Sequence, residues 1–169
     1  VGVNKEDMLR AAFVDPNYYS TTHHMMLASQ ESQWYSEIGK DQYHFQDQEL
    51  SKQLFEEAGY AGEELTIITS RDYDHMYNAA IVLKEQLNEL GVASQIEVYD
   101  WPTMLELRDS DTSAWDAFVT ASTTVSTPPQ LLAFSPTWGG GVNDDSVGQN
   151  LKAIGTAPTL EASQALWND

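Results

Sequence analysis

Residues 47–60 read DQELSKQLFEEAGY, and after a short loop residues 65–69 read LTIIT. Apolar residues recur at positions 50, 54 and 58, a spacing of four that is typical of one face of an α-helix. Asp47 stands where an N-cap side chain would accept first-turn N–H groups, and Gly59 can take the left-handed conformation that ends many helices. The stretch therefore predicts a capped helix, a glycine stop and a β-strand.

The residues that follow continue this alternation of helices and strands. Their apolar patterns predict a strand at 65–69, a helix at 77–90, a strand at 94–99, a short helix at 101–108 and a strand at 117–121. Helices of this length between strands imply parallel pairing through right-handed crossovers, with the helices covering the sheet. The predicted fold class is α/β, in three layers, with a mostly parallel sheet and a β-α-β-α-β core at 65–121.

Two less regular regions flank this core. Residues 1–60 are predicted to be helical and irregular, beginning with a helix that Asn4 caps. Residues 122–169 are predicted to be loop-rich and to end at the start of a C-terminal helix. We expect residues 1–169 to form a single lobe. Because the chain does not open on Met and stops within a predicted helix, we also expect a fragment of a longer protein.

Composition excludes several classes of protein. The chain carries 26 acidic and 8 basic side chains, a net charge of −18, which repels phosphate backbones and anionic lipids. This charge favours either cationic ligands or, more simply, solubility outside the cell. The absence of cysteine excludes a disulfide scaffold and a thiol nucleophile from the chain. No apolar run approaches the length of a membrane span.

No pattern of metal ligands or catalytic residues is present. The pair His23 and His24 precedes two methionines, which admits a nickel or copper hypothesis, but adjacent residues on an extended chain point to opposite faces. Asp72 and Asp74 lack the spacing of a calcium loop and fit the cap of the next helix. Nucleophile elbows, P-loops and G-x-G-x-x-G patterns are absent. We therefore expect neither an enzyme nor a cofactor nor a bound metal.

A ligand cleft is the remaining site that the patterns support. In open α/β sheets, ligands bind beyond the carboxyl ends of the strands, here at residues 70–73, at Asp100 with Trp101, and at residues 122–125. Trp101 is a large aromatic side chain at a strand end. It either stacks on a ligand or fills the gap between helix and sheet.

Two corners of the chain resemble a known family. The first is the Ala58-Gly59-Tyr60 corner before a strand, and the second is Leu90-Gly91-Val92 between a helix and an edge strand. Both resemble the family 5 solute-binding proteins of ABC importers, the receptors for peptides, nickel and oligosaccharides. The resemblance implies one lobe of the class II periplasmic-binding-protein fold. It also implies a monomeric extracellular or periplasmic receptor, anchored as a lipoprotein, that passes a peptide or small solute to ABC permease subunits and binds no nucleic acid.

The resemblance also implies ligand-binding residues. Trp101, Arg108 and Asp116 match family positions, but residues 122–125 read STTV where peptide receptors have a Trp and the Asp that holds the peptide α-amine. Without that carboxylate, a buried ammonium would be costly, and a hydroxyl-lined rim suits neutral polar ligands such as a peptide backbone or a sugar. The predicted ligand-binding residues are Trp101, Arg108, Ser122, Thr123, Thr124 and Val125.

Two other functions stay open at this point. A signalling or regulatory α/β domain without a transport role would share the same strands and helices. A response-regulator-like receiver needs a lysine at a late strand end, and Lys152 lies outside the predicted sheet. A chaperone-like or signalling receptor built on the same lobe would share every feature named above.

Overall fold

The computed structural model describes residues 1–29, 32–43, 46–135, 137–140, 142 and 144–169. The chain divides into two compact units. The first comprises Val1–Thr21 and Asp41–Ala121, and the second comprises Thr22–Lys40 and Ser122–Asp169. The predicted β-α-β-α-β core lies in the first unit. Within the described residues, no helix combines the length and the apolar composition that crossing a bilayer requires.

The helices and strands up to residue 118 include the elements of the core in their predicted order. They are α1 (Lys5–Phe13), a 3-10 turn (Pro16–Tyr18), α2 (Lys40–Tyr43), α3 (Gln48–Glu57), β1 (Leu65–Ser70), α4 (Asp74–Glu89), β2 (Ser94–Tyr99), α5 (Trp101–Ser110) and β3 (Ala117–Phe118). The third strand is shorter than its predicted span and ends at Phe118. The remaining predicted elements of the core match these bounds to within a few residues.

The sheet is parallel, with the strand order β2-β1-β3. Leu65 to Ser70 of β1 align with Ser94 to Tyr99 of β2, and Ile68 aligns with Phe118 of β3. The connection through α4 leads to one side of β1, and the connection through α5 leads to the other. With the right-handed crossovers that are the rule in parallel sheets, connections in opposite directions place the two helices on opposite faces of the sheet.

The core of the first unit is built on the central strand. Ile67 and Thr69 point to one face of β1 and Ile68 to the other, and all three are buried. Ile68 packs in one cluster with Met104 of α5 and with Trp115. On α4, Ala80 of the helix and Leu90, its C-cap, are buried.

The caps predicted at Asn4 and Asp47 and the glycine turn predicted at Gly59 are confirmed, but one predicted face is not. Asn4 accepts the Asp7 N–H, Asp47 accepts the Leu50 N–H, and Gly59 has a φ of 78°. On α3, however, Leu54 is 44% exposed, so the predicted apolar face is only partly covered within the first unit. The spacing of apolar residues therefore identified the helix but overstated its burial.

The second unit is built on helices and turns. Two 3-10 turns (Pro128–Gln130 and Leu132–Phe134) precede α6 (Asp145–Thr156) and α7 (Leu160–Asn168). Its core contains Met26, Trp34, Leu131 and Ile154. The region 122–169, predicted to be loop-rich, contains a helix that was not predicted, because α6 begins at Asp145, with Asp144 as its N-cap. Pro136 and Gly141 of this region lie outside the described residues.

Candidate functional site

The carboxyl edge of the parallel sheet is the position at which ligands bind in open α/β sheets. β1 ends at Ser70, β2 at Tyr99 and β3 at Phe118, all at the same edge. In a 2-1-3 strand order the crossover through α4 leads from the central strand β1 to β2, and the crossover through α5 leads back from β2 past β1 to β3, so the direction reverses. Such a switch point lies beyond the carboxyl ends of β1 and β3 and is the usual ligand position in open α/β sheets.

Trp101 is fixed at this edge as the first residue of α5. Its backbone N–H donates to Asp72 Oδ2 at 2.7 Å, which links the loop after β1 to the helix after β2. Its half-buried indole packs on the cluster of Ile68 and Met104. The indole also meets the Tyr73 ring edge-on, with 5.4 Å between the ring centroids. The side chain thus fills part of the gap beside the sheet while remaining partly open to solvent.

Three further aromatic side chains extend from Trp101 along the first unit. The His75 ring lies 5.9 Å from that of Tyr73 and is stacked on Phe13 at 5.5 Å. We call Trp101, Tyr73, His75 and Phe13 the aromatic row. Tyr73 is 43% exposed and Phe13 is 40% exposed, so the row presents ring surface to solvent. Sequence reasoning found only Trp101, although Tyr73 and His75 directly follow the loop at the end of β1.

The acidic residues at this edge have structural partners. The prediction that Asp72 or Asp74 caps α4 is wrong, because the N-cap is Tyr73, which makes no side-chain cap bond, and Asp74 is the first helical residue. Asp72 instead accepts the Trp101 N–H. Asp100 caps α5, and hydrogen bonds from the Thr103 backbone N–H and then from its hydroxyl lower the pKa of Asp100. Asp100 therefore stays ionised at neutral pH.

Arg108 lies at the other end of α5. It follows Trp101 by seven positions, or about 10 Å along a helix at about 1.5 Å per residue. Its side chain is buried, donates from Nε and Nη2 to the two carboxylate oxygens of Asp109, each at 2.7 Å, and lies 6.0 Å from the Phe118 ring centroid. Because α5 runs back toward the amino end of the sheet, the structure does not place Arg108 beside Trp101.

Asp116 has a structural role at the opposite edge of the sheet. Its Oδ2 accepts the Thr66 N–H at 2.8 Å, and its own N–H donates to the Thr66 carbonyl at 2.9 Å. This pair of bonds joins the start of β3 to β1 and sets the register of the short third strand.

The predicted hydroxyl rim belongs to the second unit. Ser122, Thr123 and Thr124 are exposed and directly follow Ala121 in the chain. Val125 is half-buried and packs against the core of the second unit. The rim thus offers three hydroxyl groups to solvent, whereas Val125 contributes to packing.

The histidine pair does not form a metal site. His23 Nε2 lies 2.8 Å from the Ser36 carbonyl oxygen, and His24 Nδ1 lies 3.0 Å from that of Met26. Burial is the main cause that lowers the pKa of His24, and neighbouring His23 lowers it further. Across the part of the chain that the structure describes, no three His, Cys, Asp or Glu side chains converge on a metal position. His44, a further histidine of the sequence, lies outside the described residues.

Comparison with known families settles the relationship of the chain. The sequence profile of the family described as bacterial extracellular solute-binding proteins, family 5 Middle, matches residues 1–145. The chain belongs to this family. A probable peptide ABC transporter periplasmic-binding protein, y4tO, of Sinorhizobium fredii (strain NBRC 101917 / NGR234) is 31% identical over 70% of the chain and 23% of its own length. Family 5 is a family of binding proteins.

Solved structures show the same fold. The ABC transporter substrate binding protein CtaP of Listeria monocytogenes aligns over 98% of this chain and 34% of its own, with 16% identity and a TM-score of 0.80. The mannohexaose-bound periplasmic oligopeptide-binding protein of Thermotoga maritima aligns over 98% of this chain and 36% of its own, with 17% identity and a TM-score of 0.79. The fold is that of a class II periplasmic binding protein, and the chain spans about a third of the length of these structures.

The family 5 corner motif has a physical explanation in this chain. The Tyr60 hydroxyl donates to the Glu63 carbonyl at 2.8 Å and accepts the Ala93 N–H at 2.9 Å. One side chain therefore joins the corner after α3 to the start of β2. Gly59 and Gly91, at the two corners, have φ values of 78° and 83°, which favour glycine.

Proposed function

We propose that the chain is part of the substrate-binding component of an ABC importer, which captures a peptide or another small polar solute and delivers it to a membrane permease. Membership of family 5 and the similarity to a peptide-binding relative support this proposal. By analogy with that family, the ligand is held between this lobe and a second lobe, and the closed form docks on the permease. Neither the family nor the relatives favour the signalling alternative.

The aromatic row carries the proposal for where this unit meets the ligand. Trp101 is held at the carboxyl edge by its bond to Asp72, and Tyr73 braces its ring. Aromatic rings fixed before the ligand arrives lose little conformational freedom on binding and bury a large area. The row therefore suits the apolar faces of a peptide side chain or a sugar ring.

The six predicted ligand-binding residues divide into two groups in this proposal. In the first unit, Trp101 is the proposed contact with the ligand, through its ring. In the second unit, Ser122, Thr123 and Thr124 expose hydroxyl groups that can accept and donate hydrogen bonds. Arg108 is buried and stabilises α5, and Val125 packs against the core of the second unit and stabilises that unit. Without an aspartate in the 122–125 stretch, the ligand is better neutral at this position than bearing a free α-amine.

Saturation-transfer difference NMR on the chain, with tetrapeptides and short oligosaccharides as probes, tests the position of the ligand. In Trp101→Ala we expect the saturation-transfer signals of the probes to fall about fivefold, because a contact worth about 1 kcal/mol is lost. Tyr18→Ala removes an aromatic ring that is 76% exposed and lies outside the row, and serves as the matched control. Equal signals from the two variants would place the ligand elsewhere.

An uptake experiment tests the transport role. Deleting the gene from its host should abolish uptake of the radiolabelled ligand, and restoring the wild-type gene should recover it, whereas the Trp101→Ala gene should not. Undiminished uptake in the deletion strain would contradict the proposal.

We also propose that the protein acts outside the cytoplasmic membrane as a lipid-anchored monomer without nucleic-acid partners. The names of the family and of its relative support an extracellular or periplasmic place. The net charge of −18 opposes binding to nucleic acid. Cell fractionation with metabolic labelling by a fatty acid tests the anchor, and sedimentation equilibrium tests the monomer.

A further inference from the structure

The second unit contains a cavity that the proposed function does not use. It lies where the turn at residues 32–35 meets the end of α7 and has a volume of about 250 Å³. Its walls are three aromatic side chains, three carboxamides and one hydroxyl, from Trp34, Tyr35, Trp167, Gln33, Gln164, Asn168 and Ser32. We propose that this cavity binds a neutral polyhydroxylated ring the size of a single sugar residue.

The charge of the walls selects a neutral ligand. The chain has a net charge of −18, yet none of the seven residues that line the cavity is Asp, Glu, Lys, Arg or His. The Tyr35 hydroxyl donates to Glu37 Oε1 at 2.7 Å, and this bond raises the pKa of Tyr35, so the phenol stays neutral. A cation would find no counter-charge in the walls, and an anion would be repelled by the protein as a whole.

The walls are held in place before any ligand binds. Trp167 Nε1 donates to the Trp34 carbonyl at 2.9 Å, and Gln164 Nε2 donates to the Gln33 carbonyl, so α7 is tied twice to the turn. The Trp167 ring also meets the Phe134 ring edge-on at 5.8 Å. A cavity whose walls are already ordered loses less entropy on binding.

The chemistry of the walls matches hydroxyl groups on a ring. Each carboxamide has an oxygen acceptor and two N–H donors, and each sugar hydroxyl both donates and accepts. Most of the wall surface that faces the cavity is polar, so hydrogen bonds rather than ring stacking would hold the ligand. Trp34 is 5% exposed, and among the described residues its Nε1 has no acceptor. This nitrogen is closed to water-sized atoms, so the carboxamides and the hydroxyl groups of the walls are the polar contacts offered to a ligand.

The size of the cavity limits the ligand to one ring. At about 30 Å³ for each water molecule, 250 Å³ corresponds to roughly eight waters. This space accommodates a single hexose, whereas sites for larger organic ligands start at about 300 Å³. The site lies in the second unit and is thus distinct from the aromatic row of the first unit.

Ligand-observed NMR with D-glucose, D-galactose and D-mannose tests the proposal, with D-glucuronate as the charged comparison. At least one hexose should bind with a millimolar Kd, and glucuronate should not bind. Asn168→Ala and Gln164→Ala should each weaken binding about fivefold, the effect of one lost hydrogen bond. Asn168 is exposed near the end of α7, so its substitution preserves the fold even where Gln164→Ala loosens α7.

Two matched variants make the result decisive. Gln149→Ala removes an exposed glutamine of α6 outside the cavity and should leave binding unchanged. Trp101→Ala, in the first unit, should also leave it unchanged, which separates this site from the proposed importer function. The proposal is overturned if no hexose binds, if glucuronate binds equally well, or if Trp101→Ala abolishes binding while Asn168→Ala does not.

Discussion

The two units of the chain are organised by different interactions. In the first, a central parallel strand is paired along its length on one side, and its residues from Ile67 to Ser70 are continuously buried. In the second, the described residues form no strand, and the core is a meeting of side chains such as Met26, Trp34 and Ile154 from distant segments. Local sequence patterns predict strands that pair through their backbones. A core of distant side chains depends on contacts that no local pattern specifies.

The binding features differ in the same way. In the first unit, a ligand surface arises from topology, because loops after parallel strands end at one edge. In the second, the cavity arises from two side-chain hydrogen bonds, from Trp167 and Gln164, that join α7 to a turn. The first kind of site is expected wherever the fold recurs, whereas the second depends on a few residues of this chain.

The largest expected loss of stability follows from a substitution on the central strand, β1. Ile68→Ala removes a side chain that is 1% exposed and leaves a cavity against Met104, so we expect the free energy of unfolding to fall by about 2–5 kcal/mol. Val98→Ala, on β2 at 41% exposure, is the matched control and should cost less than about 1 kcal/mol. Urea denaturation followed by far-UV circular dichroism measures both. Similar losses would show that β1 is not the core of this unit.

Adjacent methionines test the core of the second unit. Met26 is fully buried and Met25 is 49% exposed, so Met26→Ala should cost about 2–5 kcal/mol and Met25→Ala less than about 0.5 kcal/mol. Urea denaturation followed by both tryptophan fluorescence and circular dichroism shows whether the second unit unfolds separately. If Met26→Ala shifts the unfolding midpoints seen by both probes by the same amount, the two units unfold as one cooperative body. The stability of the second unit would then not be separate from that of the first.

Local signals explain which parts of the structure could be predicted. The caps at Asn4 and Asp47 and the turn at Gly59 each depend on contacts within four residues, and all three are present. Helix α6 was missed because Gly148 and Gly155 lower its helix propensity. Its formation instead follows from the burial of Ile154 in the second core.

The candidate site shows the same limit. Trp101 could be predicted because it directly follows a strand, and its ring is at the expected edge. The bond from its N–H to Asp72 and the stacking of Phe13 on His75 join residues that are far apart in the sequence. No periodicity reports such contacts. Sequence reasoning therefore misassigned Asp72 as a helix cap and missed most of the aromatic row.

The bond between Asp72 and Trp101 allows a smaller test of the first unit. Asp72→Ala leaves the Trp101 N–H without its acceptor, so we expect a loss of about 1 kcal/mol in stability and weaker ligand binding at the aromatic row. Asp72→Asn keeps an acceptor oxygen and should restore most of both. Chemical denaturation and NMR titration give the two values. If Asp72→Asn restores neither stability nor ligand binding, the Asp72 carboxylate acts through its charge rather than through this hydrogen bond.

The smallest expected effect concerns the pH response of the second unit. Burial lowers the pKa of His24 below its ordinary value of 6.5, with His23 adding repulsion. The folded state therefore binds a proton less readily than the unfolded state, so this group's stabilising contribution is complete above pH 6.5 and declines as the pH falls toward the folded pKa. Thermal melts of the wild type between about pH 7.5 and 5 should show a decline that His24→Gln flattens. His23, Tyr35 and Trp167 surround the ring, so the decline should appear in tryptophan fluorescence of the second unit. An equally steep decline in His24→Gln would assign the pH response to other groups and leave the His24 ring with a packing role alone.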